Sequence, residues 1–213
     1  MDIARQGLFG SEERCPSLPS TNDSPQQTPD PIPARFFQKC RTREFEVFVV
    51  GSMRVPTTAL DHAFPQPKSH RKATYTQGGI LFHPTTTPPS TISLRDHDFS
   101  ITIRNGSSLG LCSSSSIELY TILVAIHCME SAQLSGTIYT DYQKAVRIAN
   151  DPSLLHSMGR EGELPLFQYL LVLLKRLPNI RLVHVEAHGD VKKQLKWTRP
   201  QWGNYYADLI AKN

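Results

Sequence analysis

The stretch Ser135–Val146, SGTIYTDYQKAV, constrains the fold more than any other part of the chain. Thr137-Ile138-Tyr139-Thr140 is a β-rich run that stops at Asp141, and YQKAVRIAN then switches at once to helical spacing of its apolar positions. A strand, an acid and a helix in direct succession belong to an open α/β sheet, which keeps its sites at the C-terminal ends of its strands. Asp141 alone has two readings. It either caps the helix that follows or belongs to a site, and the choice turns on whether other acidic side chains converge there.

The neighbouring segments extend the α/β pattern. Upstream, IELYTILVAIHCME is apolar nearly all the way round, as expected of a helix buried between a sheet and other elements, and Ser115 with Glu118 has the spacing of a capping box at its start. Before it, ATYTQGGILFHP reads as a strand with Gly78-Gly79 at a bulge or a close backbone approach. Thr91–Arg95 and Phe99–Arg104 read as two more strands, turning at Asp96-His97-Asp98, with a further turn at Asn105-Gly106. Downstream, Asp151-Pro152 ends a helix, HSMGREGE is a loop, and Leu164–Leu177 is a second apolar helix with Pro165 in its first turn. IRLVHVEAH is a strand, GDVKKQLKWTRPQWG a basic loop, and NYYADLIAKN a last helix. The order β-β-β-α-β-α-α-β-α predicts a five-stranded mixed α/β sheet over residues 73–213, three strands antiparallel and two added in parallel, with helices on both faces.

Residues 1–72 read differently. SEERCPSLPSTNDSPQQTPDPIPAR is dense in Pro, Ser, Thr and Gln and nearly without aromatics, a composition that cannot bury enough apolar surface to fold. FEVFVV at Phe45–Val50 is an isolated strand or a docking segment, and PTTALDHAFPQPKSHRK is a linker. The expected organisation is a largely disordered extension and linker, 1–72, followed by one domain, 73–213.

Composition narrows the function classes. Of 213 residues 39% are hydrophobic and 20% charged, as in a soluble globular protein. The longest apolar run, Leu164–Leu174, is too short to span a membrane, and the N-terminus lacks the apolar core of a secretory signal, so an intracellular, cytoplasmic or nuclear, setting is expected. The four cysteines, Cys15, Cys40, Cys112 and Cys128, form no CxxC pair and suggest neither a zinc site nor a disulfide framework. A net charge of +4 permits a nucleic-acid partner without demanding one.

Glu118 opens the central helix, Asp141 ends a strand and Asp208 lies in the last helix. This order, with YTQGG in a first strand, SSSSIELYTILVAI, IYTDYQKAV, and VHVEAHGD followed by WGNYYADLIAKN, resembles the ribonuclease H type 1 family, in particular the versions attached to retroelement reverse transcriptases. The resemblance covers residues 73–213. It implies that Glu118, Asp141 and Asp208 are catalytic metal ligands, and that His188 is a mobile histidine assisting proton transfer or product release. It implies a two-metal Mg²⁺ or Mn²⁺ site that cleaves the RNA of RNA–DNA hybrids, with carboxylates because hard cations prefer oxygen ligands. It also implies recognition through the minor groove and the RNA 2′-hydroxyls. The family's first-strand motif is Tyr-Thr-Asp-Gly, and Gln77 stands at the aspartate when YTQGG is taken for that motif. A neutral amide leaves the site one negative charge short, so cleavage is expected to be reduced or lost. The alternative is an inactive nucleic-acid-binding module or a decayed retroelement fragment.

Lys192, Lys193, Lys196 and Arg199 alternate with Trp197 and Trp202 in the basic loop. They either contact phosphates while an aromatic packs on sugar or base, or form a solvated face with the tryptophans turned inward. Glu118 has the competing reading of a cap partner, Asp208 that of a helix-dipole residue, and His188 that of an ordinary loop residue.

Overall fold

The computed structural model describes residue 37 and residues 42–54, 75–85, 100–104, 111, 113–158, 161–186 and 196–212. The chain divides into two compact units, Met1–Asp30 and Pro31–Asn213, and every described residue lies in the second.

Five strands form one sheet: β1 (Glu44–Arg54), β2 (Tyr75–Pro84), β3 (Ser100–Ile103), β4 (Ser135–Thr140) and β5 (Ile180–His184). Their spatial order is β3-β2-β1-β4-β5. β1 runs antiparallel to β2 and parallel to β4, β2–β3 is antiparallel and β4–β5 parallel. The helices are α1 (Ser114–Ser131), α2 (Gln143–Asn150), the short α3 (Leu155–Met158), α4 (Leu164–Arg176) and α5 (Arg199–Lys212). The expected mixed sheet with helices on both faces is present.

Its first strand is not the expected one. FEVFVV is neither an isolated strand nor a docking segment: it begins the sheet's central strand, and the sheet therefore starts at Glu44 rather than Ala73. The YTQGG strand is the second. Nothing local to FEVFVV announces this, because its antiparallel partner lies beyond residues 55–74. The expected strand at Thr91–Arg95 and its turn lie outside the described residues, and the strand at Phe99–Arg104 is β3.

β1 is apolar on both sides because both of its faces are covered. Phe45, Val47 and Val49 share a core with Leu119, Ile122 and Ile126 of α1 and Phe167 of α4. The alternate residues Phe48 and Val50 pack with Leu81, Ala207 and Ile210 under α5. Burying each large apolar side chain contributes about 1.5–3 kcal/mol, so β1 carries much of the stability of both layers. Two glycines let the helices approach closely. A Cβ on Gly51 would lie 2.5 Å from the backbone nitrogen of Glu118, and one on Gly79 would lie 2.7 Å from the backbone nitrogen of Ala211. Gly78-Gly79 thus marks a close approach, one of its two expected readings.

Several boundaries shift. The capping box of α1 joins Ser113 to Ser116, not Ser115 to Glu118, which frees the Glu118 carboxylate. Part of the HSMGREGE loop is helical, in α3. α5 begins at Arg199, inside the expected basic loop, with Pro200 in the first turn where a missing N–H costs nothing.

If β1 is the central strand, a chain beginning at Ala73 loses both covered faces at once. Circular dichroism and amide proton dispersion of residues 73–213 are expected to show an unfolded or molten chain, with a chain from residue 31 folded. Gly51→Ala in the full chain is expected to lower stability by about 1–3 kcal/mol through overpacking, read by urea denaturation.

Candidate functional site

The C-terminal ends of the parallel strands set out the site. The last paired rung between β1 and β4 is Val49 with Thr140, so Val50 and Asp141 are the next residues on two adjacent parallel strands. Thr140 is buried, and its hydroxyl accepts from the Tyr142 amide at 3.2 Å, which turns the chain into α2. The N-cap of α2 is Tyr142 rather than Asp141.

α1 delivers Glu118 to the same place. Its first turn lies across Gly51, and Glu118 Oε1 accepts from the Ser114 hydroxyl at 3.0 Å. Burial pushes the Glu118 carboxyl up to about 7, with the negative charge of Asp141 and then that of Glu163 acting in the same direction, against the Ser114 hydrogen bond. Two of the expected carboxylates are therefore near enough to feel one another.

Sequence reasoning missed Glu163 and Lys144. Glu163 is buried and takes the Lys144 ammonium at 2.5 Å, and that ammonium stands 5.2 Å from the centre of the Phe167 ring. A lysine three residues after a strand-end acid gives no distinctive signal, and Glu163 lies in what reads as a polar loop.

α5 lies on the other face. Asp208 is in its third turn, so it is not a first-turn dipole residue; it is 9% exposed and its Oδ2 accepts from the Lys212 ammonium one turn on. Among the described residues no three His, Cys, Asp or Glu side chains are gathered closely enough to hold a metal ion together.

Gln77 does not adjoin this site. It lies on β2 opposite Ser52, so the whole of β1 stands between it and β4, and its amide oxygen is buried without a hydrogen-bond partner. The residue beside Asp141 on the first strand is Val50, 3% exposed and packed among apolar side chains. Val50-Gly51 directly follows the last rung between β1 and β4, while β1 itself runs on to Arg54 against β2. The glycine after Val50, matching the Asp-Gly of the motif that the sequence resembles, is the one signal that points to Val50; a valine in a strand otherwise reads as core.

Of the basic loop, His188, Lys192 and Lys193 lie outside the described residues. Lys196 is exposed. Arg199 pairs through Nε with Glu46 of β1, tying the start of α5 to the sheet. Trp197 packs edge-on against Trp202 with ring centres 5.0 Å apart and lies 5.5 Å from Tyr205, while Trp202 stacks on Tyr206 at 5.8 Å. The aromatic group is partly exposed, intermediate between the two expected states.

The raised Glu118 group has a definite pH consequence. A carboxyl whose folded-state value exceeds its unfolded one stabilises fully below the unfolded value, near 4.3, and that contribution is lost as pH rises through about 7. Glu118→Gln carries no charge and still accepts from Ser114. Thermal unfolding is expected to show the variant several degrees more stable than the parent at pH 8.5, with the difference shrinking toward pH 5. An equal difference at both pH values would contradict this.

The sequence matches no family model and no curated protein sequence. Solved structures do match. The native prototype foamy virus protease–reverse transcriptase aligns at a TM-score of 0.54 and 14% identity over 79% of this chain, which spans 20% of that polypeptide. The solution structure of the foamy virus RNase H domain aligns at 0.52 and 14% identity, over 79% of this chain and 91% of that one. The N-terminal RNase H domain of a Mycobacterium tuberculosis protein, fused to maltose-binding protein, aligns at 0.50 and 11% identity, over 80% and 92%. Identities this low carry the fold alone. The chain has an RNase H-like fold.

Proposed function

We propose that this chain is a nucleic-acid-binding module of the RNase H type, directed to RNA–DNA hybrids, in which cleavage is reduced or lost. The observation that carries this reading is Val50. One residue past the last rung between β1 and β4, next to Asp141, the buried side chain is a hydrocarbon. The family resemblance calls for an aspartate on the first strand, and the β1 register supports Val50, rather than Gln77, as its counterpart.

The consequence is electrostatic. Mg²⁺ and Mn²⁺ are held mainly by carboxylate charge, and a two-metal site needs ligands that reach both ions. Valine supplies neither a lone pair nor a charge. Asp208 is engaged by Lys212. The donors present fit a two-metal centre poorly, and no catalytic step is assigned to one here.

Binding has separate support. Lys196 projects beside the partly exposed Trp197, Trp202, Tyr205 and Tyr206, a combination suited to a phosphate backbone and to stacking on sugars or bases. A foamy viral protease–reverse transcriptase solved in complex with RNA/DNA hybrid shares the fold at a TM-score of 0.52 and 13% identity.

Fluorescence anisotropy with a labelled RNA–DNA hybrid over a series of salt concentrations tests the reading. Binding is expected to weaken linearly in log salt, and Lys196→Ala is expected to reduce the slope by about 1 if the lysine neutralises one phosphate. No binding at low salt by the folded chain would refute the proposal. Gln77→Asp is expected to leave hybrid cleavage unchanged in the same preparation, because position 77 is on the second strand; a gain in cleavage would return the missing ligand to Gln77.

A further inference from the structure

We propose that Lys212 is the resident cation of this site, its ammonium standing on Asp208 in place of a divalent metal ion. The inference rests on the RNase H-type reading above and deepens it, because it makes the site independent of metal.

An acid followed four residues later by a lysine is the favourable helical order, and on an open surface the pair would contribute only tenths of a kcal/mol. This pair is not on an open surface at its acidic end. The Asp208 side chain is 13% exposed, whereas that of Lys212 is 38% exposed. The residue before Asp208, Ala207, packs with Ile210 and Val50 in the apolar cluster between β1 and α5. A carboxylate this far out of water requires a compensating charge close by.

A divalent ion would satisfy that requirement if neighbouring carboxylates shared it. They do not: among the described residues no third acidic, His or Cys side chain joins any two at ligand spacing. Val50 offers no donor on the strand that faces α5. The ammonium of Lys212 reaches Asp208 Oδ2 from the end of the same helix. It supplies a single positive charge and needs only the one carboxylate. Lys144 on Glu163 repeats the arrangement on the other face of the sheet, next to Glu118. Glu163 and Asp208, the two acids that the described residues bury on opposite faces, thus each have a lysine partner.

The test is Mn²⁺ titration of the full, isotopically labelled chain, read as paramagnetic broadening of amide signals around Asp141 and Asp208. The unmodified chain is expected to show no saturable broadening there up to millimolar Mn²⁺. The double variant Val50→Asp with Lys212→Ala, which restores a carboxylate and removes the ammonium, is expected to take up Mn²⁺ about tenfold more tightly or better. Saturable broadening at Asp208 in the unmodified chain overturns the proposal, as does a double variant that keeps its dispersed spectrum and gains nothing. If the double variant fails to fold, Lys212→Ala alone decides: it is expected to expose Asp208 to weak Mn²⁺ broadening, and behaviour identical to the parent overturns the proposal. No nucleic acid enters this readout, so a failure to bind hybrid, which would refute the functional reading, leaves its outcome independent.

Discussion

Everything in this molecule depends on the pairing of β1 between β2 and β4. That strand is buried on both faces, and its alternate residues build two different cores. Phe45, Val47 and Val49 meet α1 and α4, while Phe48 and Val50 meet α5. The same register that builds those cores carries the chain to the strand ends, where Val50 comes level with Asp141 and Gly51 lies under Glu118. Fold and site are consequences of one set of hydrogen bonds.

The electrostatics of the site follow from what β1 brings there. A carboxylate at position 50 would add charge between Asp141 and α5; valine instead extends the apolar cluster of Ala207 and Ile210 up to the edge of the site. The remaining acids are then accommodated singly. Burial and the Asp141 charge raise Glu118, Lys144 neutralises Glu163, and Lys212 neutralises Asp208.

Local signals were legible and distant ones were not. Ser135–Val146, the apolar helix after Ser113 and the strand at Ile180 each encode their structure within a few residues, and each is found where its pattern places it. The approach of Glu118 to Asp141 follows from the order of those elements. β1 was hidden because strand pairing is not written locally: twenty residues, 55–74, separate it from β2, and YTQGG imitates the motif of a first strand. Taking β2 for β1 set the expected gap at Gln77, whereas the β1 register supports the proposal that it falls at Val50. A valine in a strand reads as a core residue, and Val50 is one. The ion pairs of Lys144 and Lys212 were equally illegible, because lysines on helices ordinarily face water.

On the proposal above, the carboxylate site is incomplete at position 50 of the central strand and not at position 77. This is tested most directly by Mg²⁺-dependent cleavage of a labelled RNA–DNA hybrid by the unmodified chain and by Val50→Asp combined with Lys212→Ala. No cleavage above background is expected of the former, and a metal-dependent gain that Asp141→Asn abolishes is expected of the latter. Efficient cleavage by the unmodified chain, lost on Asp141→Asn, would contradict it.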